Sequence, residues 1–264
     1  MDIIVLKLGG SVLEKLPDSF YKTLVQLKQD KVCQPIVVHG GGPEITKALN
    51  KWTVESTFVD GLRMTTNEVL EVVEMVLSGS LNKRIVAHVQ RSGGTAIGLS
   101  GVDGSLLNAS PVDAKLGYVG KVESVNTDLL QTLFHHGSIP IISPIGIDQQ
   151  GQKYNINADM AAAAIAIALN AKLAFISDIP GVIEEKEGNS FVHPQLTKPQ
   201  IESLIQREVI TGGMIPKIQS ALSVLEAGVD EAVILNGCEP KDLLNYIQGK
   251  QAGTKVIHEE GYHD

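Results

Sequence analysis

The sequence predicts an α/β protein built on a mostly parallel sheet, and two observations carry that prediction. Near the start of the chain a short apolar strand twice runs into glycines and then into a helix. Ile3-Ile4-Val5-Leu6-Lys7-Leu8 ends at Gly9-Gly10-Ser11, and Pro35-Ile36-Val37-Val38-His39 ends at Gly40-Gly41-Gly42. Strand, glycine turn and helix repeated in this way is the pattern of parallel strands with helical crossovers. The composition agrees: 26 glycines and only 4% aromatic residues in 264 suit glycine turns between parallel strands better than an aromatic-rich sandwich.

The first strand is rich in Ile, Val and Leu, so it reads as buried on both faces. Lys7 therefore needs a partner, because a lone buried ammonium is costly. Either it snorkels out at the strand end, or it is the fixed cation of a phosphate cradle whose N–H groups come from the glycines. Residues 17–30 carry Phe20, Leu24 and Leu27 at helical spacing. Pro43 suits the first turn of a helix over 44–50. Residues 53–60 alternate and predict a short strand or hairpin outside the parallel repeat. Residues 66–83 form a helix started by Thr66 and Glu68, with Val69, Val72, Val73, Val76 and Leu77 in one stripe, continuing over 81–90.

A strand follows at 95–99. Residues 102–126, rich in turns, predict a β-hairpin excursion on the sheet edge. Residues 127–136 are helical, 139–143 are a buried strand, and a turn runs from Gly146 to Gly151. The helix over 160–169 is nearly pure Ala, Ile and Leu, and its small side chains predict close packing. Then come a strand at 172–177, a polar mobile loop at 184–190 and a helix at 198–206. A longer helix opens at 211–217, with Ile218, Ala221, Leu222 and Leu225 on one face. A strand at 231–235, a helix at 240–248 and a last strand at 253–257 precede a loose polar tail at 259–264. Nothing in the composition marks a linker, so residues 1–264 read as one domain.

A net charge of −8 with no basic block argues against nucleic acid. Cys33 and Cys238 stand outside any Cys-x-x-Cys or Cys/His spacing, so no zinc site is expected, and free thiols suit a reducing compartment. No apolar run approaches the ~20 residues of a membrane span, and Asp2 followed by a strand is not a signal peptide. A soluble, cytoplasmic protein is the expectation. There is no Gly-x-x-x-x-Gly-Lys-Ser/Thr loop and no Gly-x-Gly-x-x-Gly after a strand. His39-Gly40-Gly41-Gly42 could form an oxyanion hole, but no Gly-x-Ser-x-Gly elbow accompanies it.

Five motifs carry a resemblance: Lys7-Leu8-Gly9-Gly10-Ser11, His39-Gly40-Gly41-Gly42-Pro43, Asp60-Gly61-Leu62-Arg63, Asn155-Ile156-Asn157-Ala158-Asp159 and Gly212-Gly213-Met214-Ile215-Pro216-Lys217. In this order, over residues 3–257, the chain resembles the amino-acid kinase family, and most closely its members that act on N-acetyl-L-glutamate. The resemblance implies a three-layer αβα sandwich. A lobe of about residues 1–170 would hold the acceptor, and one of about 171–258 would hold ATP. The implied reaction moves the γ-phosphoryl of ATP, with Mg²⁺, onto the side-chain carboxylate of N-acetyl-L-glutamate in arginine biosynthesis. Aspartokinases and glutamate 5-kinases carry additional domains, and uridylate kinases differ in the opening and acceptor motifs. An acetylaminoadipate kinase, whose substrate is one methylene longer, stays open, since that difference is worth only ~1–3 kcal/mol in a pocket. A non-catalytic binding or sensor module is the alternative of another class, and the two lysines with their aspartate argue against it.

The resemblance also assigns roles. Lys7 and Lys217 flank the transferring phosphoryl, and Asp159 bridges and orients both; by position alone Asp159 could equally be a helix N-cap or first-turn acid. Gly9, Gly10 and Gly41 offer N–H groups to phosphate oxygens, where any side chain would fill the space the phosphate needs. Gly41 and Gly42 line the acceptor site. Arg63, otherwise a surface arginine after a turn, pairs bidentately with an acceptor carboxylate, and Asn155 binds the α-carboxylate or acetamido end. Ser177, Asp178, Gly181 and Val182, with Val209, Ile210 and Thr211, hold base and ribose. Mg²⁺ rests mainly on phosphate oxygens, so no protein metal ligand is named. A carboxylate acceptor with a pKa of about 4.3 is already ionised and needs positioning and cations rather than a general base, so His39 reads as structural. Arginine-inhibited members carry a helix before the first strand that builds hexamers. With the strand beginning at Ile3, an arginine-insensitive homodimer is expected. The stripe on the 66–77 helix is either its dimer face or ordinary core.

Overall fold

The computed structural model describes residues 1–186, 188–212 and 214–259. Gly213 of the last motif and the tail from 260 onward lie outside them. Eight strands make the central sheet: β1 (Asp2–Leu8), β2 (Cys33–His39), β3 (Ala96–Ser100), β4 (Ile139–Ser143), β5 (Lys172–Ser177), β6 (Gln195–Leu196), β7 (Glu231–Asn236) and β8 (Thr254–Ile257). Their order is β6-β8-β7-β5-β1-β2-β4-β3. Every neighbouring pair is parallel except β7 with β8.

The period of two along β1 divides the core. Ile4, Leu6 and Leu8 pack with Phe20 and Leu24, Ile45 and Leu49, Val69 to Leu77, Ile85, Leu243 and Tyr246. Val5 packs on the opposite face with Leu130, Ala161 to Ala166, Ile201, Leu204 and Ile218. Helices thus cover both faces, as parallel strands buried on both sides require, and the three-layer αβα sandwich is present. The alanine-rich helix Ala158–Leu169 buries Ala161, Ala162, Ala163 and Ala166 to within 1% exposure.

Four local expectations come out differently. The 102–126 hairpin forms, as Leu107–Pro111 against Val119–Val125, but it does not sit on the edge of the central sheet. It joins Ile145–Ile147 and Lys153–Ile156 in a separate closed four-stranded barrel. Residues 184–190, read as a mobile loop, contribute to an antiparallel hairpin, Ile183–Lys186 with Asn189–Val192. The 66–91 helix starts as read, with Thr66 Oγ1 accepting from Val69 N, but its turns widen to π over Met75–Leu81. Its stripe is no free face: Val69, Val72, Val73, Val76 and Leu77 are all buried in the core, which excludes it as a dimer face.

Candidate active site

β1 and β5 are adjacent, in register from Ile4↔Lys172 to Leu8↔Ile176. Their carboxyl ends, where open parallel sheets place ligands, gather most of the expected residues. Lys7 shares the face of Val5 and so points at the Ala158–Leu169 helix. Its Nζ lies 2.6 Å from Asp159 Oδ1, with the two side chains 17% and 15% exposed. Asp159 is free for this because Asn157 caps the helix, its Oδ1 accepting from Asp159 N at 2.8 Å and Met160 N at 3.2 Å. Ser220 Oγ donates to Asp159 Oδ2 at 2.7 Å.

Asp159 does not bridge both lysines. Lys217 Nζ instead lies 3.2 Å from Asp178 Oδ1, and Lys15 Nζ lies 2.6 Å from Asp178 Oδ2. Lys217 and Ser220 share one face of Met214–Glu226. The serine reaches Asp159, while the lysine, one turn nearer the helix start, reaches the end of β5. Lys15, with Lys217 adding to it against the opposing effect of burial, holds the Asp178 carboxyl down to about 2.

The two glycine turns pack on each other. A Cβ on Gly10 would stand 2.8 Å from Pro43 Cδ and 3.0 Å from Gly42 N, and one on Gly41 would stand 2.3 Å from Leu81 Cδ1. At these two positions protein packing by itself already demands glycine. Gly9 would make only an ordinary contact, 3.9 Å from Ile176 O, and Gly42 faces open space. His39, fully buried, has Nδ1 3.0 Å from Gly40 O and Nε2 3.4 Å from Asn82 Nδ2. Burial pushes its pKa down to about 4, so it is neutral and structural.

Arg63 is not a surface residue. It is 8% exposed, and burial lowers its pKa. Nη1 donates to Ser56 Oγ at 2.8 Å, Nη2 donates to Thr46 Oγ1 at 2.8 Å and to Gly42 O at 3.3 Å, and the guanidinium lies 4.5 Å from the Phe58 ring centre. The Phe58–Val59 and Leu62–Arg63 hairpin thereby fixes it beside the second glycine turn. Asn155, in the barrel, donates to Thr65 Oγ1 at 3.1 Å, and Thr65 donates to Arg63 O at 2.8 Å, which links the two expected acceptor residues.

A cleft of about 520 Å³ brings Asp178, Gly181, Val182, Val209 and Thr211 together with Lys217 and Ser11. Two residues expected with them are not on its wall. Ile210 is 1% exposed in the core, and Ser177 lies beneath, its buried Oγ without a hydrogen-bond partner. Lys15, Ser220, Ser56 and Thr46 escaped the sequence reading. Only Ser220 carried a signal, three residues beyond Lys217 on a helix.

The Amino acid kinase family matches residues 2–236. The chain is 53% identical over 264 residues, all of both chains, to a protein of Oceanobacillus iheyensis named acetylglutamate kinase. It is 48% identical over 260 residues to one of the same name from Geobacillus kaustophilus, covering 98% and 97% of the two chains. The crystal structure of smu.665 from Streptococcus mutans superposes with a TM-score of 0.77 at 29% identity over 97% of this chain and 98% of that one. Neisseria gonorrhoeae N-acetylglutamate synthase, solved with coenzyme A and N-acetyl-glutamate, gives 0.79 at 23% identity over 98% of this chain and 60% of that one, a likeness of fold. A full-length relative at 53% identity, together with a family match that spans both lysine sites, places this chain in the amino acid kinase family.

Proposed function

We propose that the protein transfers the γ-phosphoryl of ATP to the side-chain carboxylate of N-acetyl-L-glutamate, giving N-acetyl-L-glutamyl 5-phosphate and ADP in arginine biosynthesis. One observation carries the reading. Two lysines from opposite ends of the chain, each paired with a different aspartate, stand at the carboxyl ends of the adjacent parallel strands β1 and β5, the first of which runs into a glycine turn. Relatives that share the full length bear the corresponding name.

The chemistry follows from charge. The acceptor is an anion attacking an anion, so the site must relieve repulsion rather than remove a proton. An acceptor oxygen bonds to the γ-phosphorus as the bond to the β–γ bridging oxygen breaks, and ADP leaves with that electron pair. Lys7, oriented by Asp159, is the cation on the acceptor side. Lys217, moving off Asp178, neutralises the leaving phosphate. Arg63 and Asn155, with Gly42, take the acceptor in the lobe of about residues 1–170. The cleft in the lobe of about 171–258 takes adenosine. Mg²⁺ fits this donor set only through phosphate oxygens, because the carboxylates at hand, Asp159 and Asp178, each face a lysine; bound there it would add charge neutralisation.

Two thiols, Cys33 and Cys238, agree with a cytoplasmic setting, and among the described residues no helix is long and apolar enough to cross a membrane. We also propose a homodimer, to be checked by sedimentation, whose seam lies away from the buried 69–77 stripe. The function is tested by following ADP release with N-acetyl-L-glutamate as acceptor, and with its homologue one methylene longer as control. Folded protein that turns over neither sinks the reading, and preference for the longer acid would redirect it.

A further inference from the structure

Glu184 is the most deeply buried carboxylate among the described residues, 3% exposed, and it lies outside the site assigned above. Its Oε2 is 2.9 Å from His193 Nε2, Arg207 Nη2 donates to its Oε1, and Lys186 Nζ stands 3.7 Å from the same oxygen. These partners come from separate pieces of chain. Glu184 and Lys186 lie on the first strand of the 183–192 hairpin, His193 directly follows the second, and Arg207 caps the end of the Lys198–Gln206 helix.

Each piece leads into one wall of the 520 Å³ cleft. Gly181, Val182 and Ile183 run into Glu184, and Arg207 leads into Val209 and Thr211. The backbone repeats the tie on the hairpin side. His193 N donates to Val182 O at 2.8 Å, Val182 N donates to Thr254 Oγ1 at 2.8 Å, and Thr254 Oγ1 donates to His193 O at 2.7 Å. The Val209 side has Arg207 as its tie to the hairpin. With Glu184 buried and Arg207 half-exposed, the pair is weak evidence for stability, and the better-attested use of such a charge is to fix one arrangement.

We propose that Glu184, through Arg207 and His193, is a positioning residue that sets the spacing of the two cleft walls and so the affinity for the nucleotide. This rests on the assignment of that cleft to ATP. Glu184→Gln keeps the shape and removes the charge that draws in Arg207. Arg207, 52% exposed, can then turn to water without opening the core.

The test compares wild type, Glu184→Gln and Arg207→Gln, reading nucleotide affinity as KM for ATP and, separately, as Kd for AMP-PNP by calorimetry. Both variants should weaken nucleotide binding roughly five- to tenfold, with kcat within about twofold and KM for the acceptor unchanged, since a misplaced wall acts on the ligand it touches. Arg207→Lys should recover part of the loss. Unchanged KM and Kd in Arg207→Gln would overturn the proposal. So would a fall in kcat and a rise in both KM values in step with a lowered Tm, the mark of a merely structural role. If wild type turned over no substrate, the reaction assignment would fall while the AMP-PNP Kd series still decided this one.

Discussion

Lys217 Nζ stands 3.2 Å from Asp178 Oδ1, so the lysine proposed to meet the leaving phosphate is held by an aspartate at the end of β5 and must leave it to do so. Asp178 also carries Lys15, so Lys217 can leave without stranding an unpaired carboxylate. An interaction formed only when charge shifts to the leaving group acts on the transition state. Lys217→Ala should therefore lower kcat by about a hundredfold or more while KM for ATP changes little. Steady-state kinetics check this, and equal losses in both would argue for a plain binding role.

The glycines of the second turn should separate into two kinds. Gly41→Ala puts a methyl 2.3 Å from Leu81 Cδ1 and 2.7 Å from Leu77 Cδ2, an overpacking that should destabilise by ~1–3 kcal/mol. Gly42→Ala meets nothing within 4 Å and begins a helix, so its Tm should hold or rise slightly. Its effect should show instead as a raised KM for N-acetyl-L-glutamate. Thermal unfolding and acceptor titration on the two variants distinguish packing from ligand room.

Arg63→Lys keeps the charge and loses the fork. Lysine cannot hold Ser56 and Thr46 at once and still present an edge to a carboxylate. KM for the acceptor should rise about tenfold or more, with KM for ATP nearly unchanged. Denaturant midpoints should fall by an amount equivalent to ~1–2 kcal/mol, from the hydrogen bonds lost at a buried site.

His39 gives the fold an acid sensitivity. Its pKa is about 4 when folded against 6.5 when free, so the unfolded chain binds the extra proton. Its neutral burial supports the fold fully above pH 6.5, and that support declines as pH falls toward 4. The loss should be on the order of 3 kcal/mol. Urea unfolding of wild type and His39→Gln between pH 7 and 4 checks this: the stability gap between them should narrow as the solution is acidified.

What the sequence revealed depended on whether a residue's task was local. Lys7 was legible because a charge inside an apolar strand demands a partner, and its face followed from the period of two along β1. The glycine turns were legible because few other residues bend a chain so sharply, yet the reason for Gly10 and Gly41 was not, since it lies in Pro43, Leu77 and Leu81 across the fold. The barrel was hidden because its closure depends on Asn108 meeting Ile147, a pairing that no hairpin signal announces. The 183–192 hairpin was hidden because its residues are mostly polar and exposed, which leaves no alternation to read. Lys15 belongs to no motif, and its role exists only because β1 and β5 end side by side.

That adjacency also bears on how the chain is made. β1 has one neighbour close in sequence, β2, and another, β5, that begins only at Lys172. A ribosome adding about 5–20 residues per second would leave one backbone edge of this apolar strand unpaired for on the order of ten seconds or more. An open edge of that composition invites pairing with other chains, so the strand that carries Lys7 is also an aggregation liability of the nascent protein until Lys172–Ser177 has been made.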